Sequence, residues 1–388
     1  MPDLDALRRS VEESHPAYLR ELAELVNIDC GSYTPEGVNR VADAVSARMN
    51  ALGFDVERRA HEPTDGAPQL GDLLIGRSSG DGPRILLIGH MDTVFDPGTA
   101  AARPYRSRGD RAFGPGVTDM KAGLLAGLHA IQALKANGRA PNVTFVANPD
   151  EEIGSPFSTP IIRELAPQHD AVLVLECARA NGDIVSARKG IADYHLDLVG
   201  RAAHAGVEPE KGRSAILEAA HQVLALHDLN GRWPSVTVNP GVIRGGTRPN
   251  VVPERCELQV DLRAASMDAF EAASAEVERL AGAPTVDGVS IEIRRIAGHP
   301  PMEKSGASAR LVALTTAIAT ELGFDVADAA TGGASDANTT AALGIPTLDG
   351  LGPVGGDDHS VDEWLDLAIV VPRTTLLAGL IARGRQAL

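Results

Sequence analysis

The residues best suited to chemistry in this sequence are histidines and acids that directly follow short apolar runs. The clearest case is the run Ile85–Ile88, which is followed by His90 and Asp92. Four consecutive β-prone apolar residues predict a strand buried on both faces, and open α/β sheets place their sites at the carboxyl ends of such strands. The spacing suits a metal-bound imidazole whose second nitrogen is held by a carboxylate. The alternative is a histidine in an ordinary polar loop.

Four further polar clusters follow a predicted strand or begin a predicted helix. They contain Asp119, Asp150–Glu152, Glu176 and Asp357–His359. For Asp119 the alternative role is a helix N-cap, and for Asp150–Glu152 it is a solvated acidic turn. Acids this close together at a dry site repel each other unless a cation is present.

Taken together, the clusters offer metal ligands without a thiolate: two histidines, one aspartate and two glutamates. Such a set suits Zn²⁺, with Co²⁺ or Mn²⁺ as possible substitutes. Five ligands overfill one tetrahedral site but fit two ions about 3.5–4 Å apart if one carboxylate bridges them. Glu151 and Glu152 should not both bind metal, because neighbouring side chains on a near-extended chain point to opposite sides. The second glutamate would take a proton from the attacking water and pass it to the leaving nitrogen.

The elements that must position these residues alternate between strands and helices. Strands are predicted at 84–89, 142–147 and 171–175, and helices at 4–27, 36–52 and 120–136. The segment from Phe95 to Val117 reads as a long loop. Strands that alternate with helices at this spacing predict a mostly parallel sheet covered by helices.

A different order of elements begins near Lys189 and ends near Pro301. It is strand, helix, strand, strand, helix, strand, at 191–200, 213–228, 235–244, 255–264, 267–281 and 289–296. This βαββαβ pattern predicts an inserted ferredoxin-like α+β domain. We therefore divide the chain into a first catalytic part at 1–188, the insert at 189–300 and a second catalytic part at 301–388. The last part should contain helices at 308–322 and 364–387 and a short strand at 345–348.

Composition limits the classes of partner and location. The 388 residues carry a net charge of −16, and no basic run is present, so nucleic acid and anionic membranes are poor partners. No apolar run approaches the roughly 18 residues of a membrane span. Cys30, Cys177 and Cys256 are scattered, which favours a reducing compartment over a disulfide framework. We expect a cytoplasmic protein.

Several longer motifs are similar to those of a known family. They are GHMDTVF (89–95), GPGVTDMKAG (114–123), NPDEEIG (148–154), LVLE (173–176), GRAAHAG (200–206), RPNVVP (248–253), TGGASDA (331–337) and DDHS (357–360). In this order they resemble the M20 co-catalytic zinc peptidases and deacylases, most closely the glutamate carboxypeptidase branch. The resemblance covers nearly the whole chain, and it implies a zinc-exopeptidase-like sheet with an inserted lid and dimerisation domain.

The resemblance also implies roles for the clustered residues. One Zn²⁺ would be held by His90, Asp119 and Glu176, and the other by Asp119, Glu152 and His359. Glu151 would be the general base and acid, and Asp92 would orient His90. The family usually has a cis peptide after the bridging aspartate, which makes Asp119–Met120 a candidate.

Further roles are implied for the insert and one glycine-rich loop. His204 would reach the partner subunit's site and help polarise the scissile carbonyl. Asn250 and Arg263 would grip the free carboxylate of the substrate, and the Gly332–Gly333 backbone would line the same pocket. An arginine fork matches a carboxylate bidentately, although a surface ion pair is the alternative for Arg263.

The resulting hypothesis is a dinuclear zinc hydrolase, working as a homodimer, that releases a C-terminal, acidic amino acid from a peptide or N-acyl conjugate. The alternative substrate class is that of an N-acyl-amino-acid deacylase. A catalytically inactive binding protein on the same scaffold is the rival from another class. Two departures bear on the substrate: Cys177 stands where the branch commonly has proline, and His299 lies where the branch carries a basic specificity residue.

Overall fold

The computed structural model describes residues 3–64 and 66–388. The chain divides into two compact units. The first comprises Met1–Ser186, Lys304–Ala330 and Ser335–Leu388, and the second comprises Ala187–Glu303 and Thr331–Ala334. Within the described residues, no helix combines the length and the apolar character that a membrane span requires.

The helices and strands alternate along the chain as follows. Up to residue 188 they are α1 (Leu4–Val26), α2 (Pro35–Ala51), β1 (Asp55–Arg59), β2 (Leu73–Ser78), β3 (Asp81–His90), α3 (Thr99–Ala102), β4 (Arg106–Arg108), β5 (Arg111–Phe113), α4 (Ala122–Ala136), β6 (Pro141–Asn148), α5 (Ser158–Leu165), β7 (Ala171–Val174) and β8 (Ile184–Arg188). From residue 190 to 299 they are β9 (Gly190–Val199), β10 (Ala203–His204), α6 (Ala215–His227), β11 (Thr237–Gly245), β12 (Val251–Val252), β13 (Arg255–Ala264), α7 (Met267–Ala281) and β14 (Ser290–His299). The remainder comprises α8 (Gly306–Glu321), β15 (Asp328–Thr331), α9 (Asp336–Ala342), β16 (Thr347–Leu348), β17 (Gly355–Gly356), β18 (Trp364–Asp366) and α10 (Val370–Arg383).

The first unit is built around a six-stranded sheet in the order β1-β2-β6-β3-β7-β16. The four strands β6, β3, β7 and β16 are parallel, and β1 and β2 form an antiparallel edge. The predicted mostly parallel sheet is therefore confirmed. The side chains of Ile85–Ile88 in β3 are buried on both faces of the sheet, because helices cover both faces of such sheets. Ile85 lies opposite Val143 and Ala171, so three parallel strands end at the same edge.

Helix α4 is the buried helix that packs against this sheet, α1 and α10. Its sequence is apolar nearly all round, which is typical of a helix without a solvent face. A side chain at Gly123 would place its Cβ 1.9 Å from the carbonyl oxygen of Leu175, so only glycine permits this approach. The start of α4 is thereby held next to the end of β7.

Three sequence predictions for the first unit need correction. The closing helix begins at Val370 instead of Trp364, because Trp364–Asp366 pair as strand β18 with β5 and β17. The predicted loop after Phe95 contains helix α3 and the β4–β5 hairpin. The helix predicted from Met120 begins at Ala122, after an irregular turn at Val117–Lys121.

The second unit has an antiparallel sheet in the order β11-β13-β9-β14. With α6 and α7 it follows the βαββαβ order of a ferredoxin-like arrangement. Alternate residues of β9 and β13 are buried, as expected for a sheet with helices on one face. Leu196 and Leu258 lie opposite each other in its core.

Candidate metal centre

The polar residues predicted at separate strand ends meet at the carboxyl edge of the first unit's sheet. His90 ends β3, Glu176 follows β7 by two residues, and Glu151 and Glu152 lie in the turn after β6. Because these strands are parallel, their carboxyl ends deliver these side chains to one edge. His90 is only 1% exposed, so its imidazole is removed from solvent.

Asp119 stands at the centre of the cluster. Its Oδ1 lies 3.1 Å from Nε2 of His90, and its Oδ2 lies 3.1 Å from Nε2 of His359. Each carboxylate oxygen therefore faces a different histidine. Asp119 is not an N-cap, because α4 begins after Lys121 and has no side-chain cap. The Asp119–Met120 peptide bond is cis, as the sequence resemblance implied.

Three glutamates complete the cluster. Glu176 Oε1 lies 3.6 Å from His90 Nε2, and Glu152 Oε2 lies 3.1 Å from His359 Nε2. Two sets of potential ligand atoms lie within 4.8 Å of one another: His90, Glu151 and Glu176, and His90, Asp119 and Glu152. The structure thus brings together all five predicted metal ligands and the predicted base.

Asp92 lies beneath this cluster and is almost fully buried. Nδ1 of His90 is 3.0 Å from the backbone carbonyl oxygen of Asp92 and 3.4 Å from its Oδ1. The Asp92 carboxylate also accepts hydrogen bonds from Ser32 Oγ at 2.6 Å and from the backbone N–H groups of Glu151 and Glu152 at 3.1 and 3.2 Å. Nδ1 is thereby engaged, and Nε2 is presented to Asp119.

The turn that carries the two glutamates differs from the prediction. Glu151–Ile153 form a single 3₁₀ turn instead of near-extended chain. A 3₁₀ turn rotates successive side chains by about 120°, so the side chains of Glu151 and Glu152 still leave the backbone in different directions. The Asp92 carboxylate supports this turn by accepting both of its first N–H groups.

The electrostatics of the cluster favour a positive charge at its centre. Burial raises the pKa of Glu151 well above its usual value, and the nearby Glu176 charge adds to this effect. Hydrogen bonds to Asp119 and Glu152 raise the pKa of His359 to about 10. Burial opposes a charge on His90, but Glu176 and Asp119 still raise its pKa well above the usual value. The converging acids therefore stabilise any cation placed among them.

The donor set fits divalent metal ions. It contains two imidazoles and three carboxylates and no thiolate, which suits zinc and its borderline-hard neighbours. The second nitrogen of His90 is already hydrogen-bonded, as is usual for a metal-binding histidine. Both oxygens of Asp119 face different histidines, so one carboxylate can serve two ions. His359 is the most exposed of the candidate ligands, since 54% of its side chain is exposed.

The predicted substrate-binding residues lie in the second unit, in two groups. Asn250 and His204 are neighbours, because Asn250 O accepts from Ala205 N at 3.0 Å and β10 pairs with β12. Arg263 lies toward the other end of β13, opposite Ile191. Asn250 directly precedes β12 and lies five residues before Arg255, the first residue of β13; Arg255 and Arg263 are eight residues apart in that strand, or roughly 26 Å at strand spacing. One chain therefore holds Asn250 and Arg263 far apart.

Arg263 is oriented by two neighbours. Its Nε donates to both carboxylate oxygens of Asp261, each at 3.1 Å, and its Nη1 donates to Gly332 O at 2.8 Å. The ion pair considered as an alternative is thus present, but it uses the Nε side of the guanidinium. Gly333 O accepts from Arg188 Nη1 at 3.0 Å. Within the described part of the chain, Nη2 of Arg263 has no hydrogen-bond acceptor, and the side chain is 37% exposed.

Sequence reasoning missed two buried acids around the cluster. Glu363 is 1% exposed, and its carboxylate accepts from the backbone N–H groups of Gly116, Thr118 and Asp119. Asp336 is also 1% exposed and accepts from Ser155 Oγ at 2.6 Å and Asn148 Nδ2 at 2.7 Å. Neither acid stands out in the sequence, because each is a single acidic residue whose partners are backbone groups or polar residues distant along the chain. Asp336 lies in the TGGASDA motif (331–337).

Comparison with known proteins places the whole chain among hydrolases of similar fold. The model of peptidase family M20/M25/M40 matches residues 86–383. The chain is 31% identical to carboxypeptidase G2 of Pseudomonas sp. (strain RS-16) over 97% of this chain and 91% of that protein. It is 29% identical to acetylornithine deacetylase of Myxococcus xanthus over 65% of this chain and 68% of that protein. The solved structure of aminopeptidase PepT from Bacillus cereus matches with a TM-score of 0.78 and 25% identity, over 95% of this chain and 98% of that one.

Proposed function

Because the chain belongs to peptidase family M20/M25/M40, a family of metallo-hydrolases, we propose that it is a dinuclear zinc-dependent amide hydrolase. In this proposal it releases a C-terminal, acidic amino acid from a peptide or N-acyl conjugate. The observation that carries the proposal is the Asp119 carboxylate, whose two oxygens each lie 3.1 Å from a different histidine. The relative with 31% identity is a carboxypeptidase, which supports the same reaction class.

The ligands divide between two ions. His90, Asp119 and Glu176 would hold one Zn²⁺, and Asp119, Glu152 and His359 the other, with Co²⁺ or Mn²⁺ as possible substitutes. When bound, such ions act as Lewis acids that polarise a carbonyl and activate water. Asp92 keeps Nε2 of His90 directed to the centre by engaging Nδ1.

Glu151 would transfer the protons. It is partly buried, lies within the cluster and has a raised pKa, which suits a group that must both accept and return a proton near neutral pH. It takes a proton from the attacking water and delivers it to the nitrogen of the departing amino acid. The backbone N–H of Glu151 donates to the Asp92 carboxylate, and this hydrogen bond fixes the position of the backbone from which the Glu151 side chain extends.

The substrate's carboxylate would be bound by Arg263 and by Asn250, with Gly333 lining the pocket. Since Asn250 and Arg263 lie far apart in one chain, both can contact one carboxylate only if they come from different subunits. His204 lies beside Asn250 and would polarise the scissile carbonyl from the same side. The active form is therefore proposed to be a homodimer, and its location the cytoplasm.

The surface of the second unit supports such a dimer. On α6, Leu217 and Leu224 are 51% and 66% exposed, and their spacing of seven residues places them on one side of the helix. Strand β11 lies at the edge of the sheet, where its outer hydrogen-bonding groups are available to another strand, and its Ile243 is 51% exposed. Exposed apolar residues beside an open sheet edge are typical of an interface.

Charge placed on this surface should separate the subunits. Leu224→Asp is expected to convert the dimer to a monomer and to lower kcat/KM, since His204 and Asn250 would no longer reach the second site. Light scattering after size-exclusion chromatography would measure the mass. Leu343→Asp, at an exposed leucine of the first unit, is the control and should stay dimeric. A wild-type protein that is monomeric and fully active would contradict the dimer.

The carboxylate clamp has its own test. Arg263→Ala should lower kcat/KM for substrates with a free C-terminal carboxylate about 10- to 100-fold, because a charge-assisted hydrogen bond contributes roughly 1.5–3 kcal/mol. Substrates with an amidated C-terminus should be cleaved poorly by the wild type and no worse by the variant. Arg294→Ala removes another arginine that pairs with an aspartate, Asp197, and is the control. An equal loss on both substrate types would remove Arg263 from the clamp.

The similarity to a deacetylase supports the alternative substrate class. An N-acyl-amino-acid deacylase would use the same metals, base and clamp but would accept a small acyl group. The carboxypeptidase and the deacylase can be distinguished with a panel of N-acetyl, N-succinyl and peptidyl amino acids, assayed with added Zn²⁺. Each type of substrate is tested with an acidic, a basic and an apolar C-terminal residue. Preferred hydrolysis of the peptidyl substrates that end in an acidic residue supports the carboxypeptidase, and preference for N-acetyl or N-succinyl substrates supports the deacylase.

A further inference from the structure

The loop that carries Asp119 is held from both sides by buried charged side chains that are not metal ligands. We propose that Glu363 is a positioning residue that fixes the Asp119 carboxylate between its two histidines, an inference that rests on the proposed metal centre. Glu363 Oε2 accepts from Gly116 N at 2.8 Å, and its Oε1 accepts from Thr118 N at 2.9 Å and Asp119 N at 3.1 Å.

The three N–H groups explain why a carboxylate is needed at this position. They precede α4 in an irregular turn and cannot bond to a preceding helical turn. A buried carboxylate has two acceptor oxygens and requires such donors, because an unpaired buried charge is strongly unfavourable. Glu363 is 1% exposed, so water does not replace these bonds. The backbone of Asp119 is therefore fixed by a hydrogen bond to a buried carboxyl group.

A buried lysine bonds to a carbonyl group of the same loop. Lys121 is 1% exposed, and its Nζ donates to Pro115 O at 3.1 Å and to Ile28 O at 3.3 Å. Lys121 thus engages the carbonyl side of the loop while Glu363 engages the N–H side. With both sides bonded, the Asp119 backbone has little freedom to rotate.

Glu363 also links two of the three loops that would supply the ligands of the second ion, those of Asp119 and His359. It lies four residues after His359 and directly before β18, which is paired on both sides with β5 and β17. In β17, Gly355 lies so close to this loop that an added Cβ would be 2.1 Å from Thr118 Oγ1. A small sheet therefore delivers the Glu363 carboxylate to the Asp119 loop, while the turn just before it carries His359.

Glu363 is distinct from the ligands themselves. Both of its carboxylate oxygens accept hydrogen bonds from backbone N–H groups, whereas the proposed ligand atoms face one another across the cluster. Its effect on metal binding must pass through the backbone of Asp119. A change at Glu363 should therefore alter metal affinity without removing any ligand, and orienting partners of this kind typically change metal affinity about 10- to 100-fold.

Glu363→Gln is the sharpest test, because it preserves the size of the side chain. A glutamine has one acceptor oxygen and one NH₂ donor, so in either orientation at least one of the three backbone N–H groups faces a donor. We expect the protein stripped of metal to bind Co²⁺ about 10- to 100-fold more weakly, measured by chelator competition, with an altered Co²⁺ absorption spectrum. The kcat should fall more than KM changes.

A matched control lies in the second unit. Glu218 is also fully buried; its Oε2 accepts from Thr285 N at 2.8 Å and Val286 N at 2.7 Å, and its Oε1 accepts from Gln222 Nε2 at 2.8 Å. Glu218→Gln should lower the melting temperature to a similar extent but leave Co²⁺ affinity unchanged. If Glu363→Gln does not fold, Glu363→Asp keeps the charge but withdraws it by one methylene, and it should weaken Co²⁺ binding too.

The outcomes separate this inference from the proposed function. If wild-type protein binds no Co²⁺ or Zn²⁺, the proposed function itself fails. If the wild type binds two ions and Glu363→Gln, or Glu363→Asp in its place, binds them equally well, only the role of Glu363 is refuted. An equal loss of Co²⁺ affinity in Glu218→Gln would show general destabilisation, which also refutes it.

Discussion

Replacing Glu151 by glutamine should lower kcat about 10²- to 10⁴-fold while both metal ions stay bound. General acid–base groups contribute this much to hydrolysis, and an amide cannot accept the proton of the attacking water. The substitution keeps the side-chain volume, and the backbone N–H of residue 151 can still donate to Asp92. Initial rates with a saturating substrate and metal content by atomic emission should be measured on the same preparation.

Two results would contradict this assignment. Unchanged hydrolysis would show that Glu151 does not transfer the proton, and loss of metal would show that it is a ligand, as its place in one convergent set allows. The control is Glu164→Gln on α5, whose side chain is 63% exposed and pairs with Arg59 outside the cluster. It should behave as the wild type. An inactive wild type that still binds amino-acid conjugates would favour the binding-protein alternative.

Asp119→Asn should remove both ions together and lower kcat/KM by about 10³-fold or more. Asparagine has one acceptor oxygen and no charge, so it cannot serve two cations, and its NH₂ group would face one of the two histidines. The converging glutamates would then repel each other with less compensation. Isothermal titration with Zn²⁺ on metal-free protein should show two sites in the wild type and no tight site in the variant.

A matched aspartate stands before β7, at the opposite edge of the same sheet. Asp170 accepts from Arg84 Nη2 at 2.7 Å and from its backbone N–H at 2.8 Å. Asp170→Asn should cost some stability but keep two zinc sites. If Asp119→Asn retains one tight zinc site, Asp119 binds a single ion and the proposed bridge is wrong.

The central sheet could be predicted because its strands are long apolar runs. Ile85–Ile88 and Ala171–Leu175 are buried on both faces of the sheet. Each is therefore a continuous apolar run, which the sequence alone identifies. His90 and Glu176 could be predicted as candidate ligands from their positions after these runs. Short strands such as Arg106–Arg108 and Arg111–Phe113 escaped prediction, because they carry charged residues and depend on pairing with each other and, for Arg111–Phe113, with β18.

The missed parts of the site share one physical cause. Glu363 bonds to three backbone N–H groups, and backbone donors have no signature in a sequence. The turn at Glu151–Ile153 is set by the Asp92 carboxylate, which is nearly sixty residues earlier. The wide spacing of Asn250 and Arg263 required the strand register of β13. The roles of these residues toward substrate remain predictions.

The order in which the ligands occur along the chain has a consequence for biosynthesis. Asp119 and His359 are 240 positions apart, and the entire second unit is synthesised between them. In the proposed centre, His90, Asp119, Glu152 and Glu176 are therefore synthesised early, and only His359 is missing until the ribosome has nearly finished. Completion of the proposed centre would therefore be a late event, and truncated products would lack the histidine proposed for the second ion.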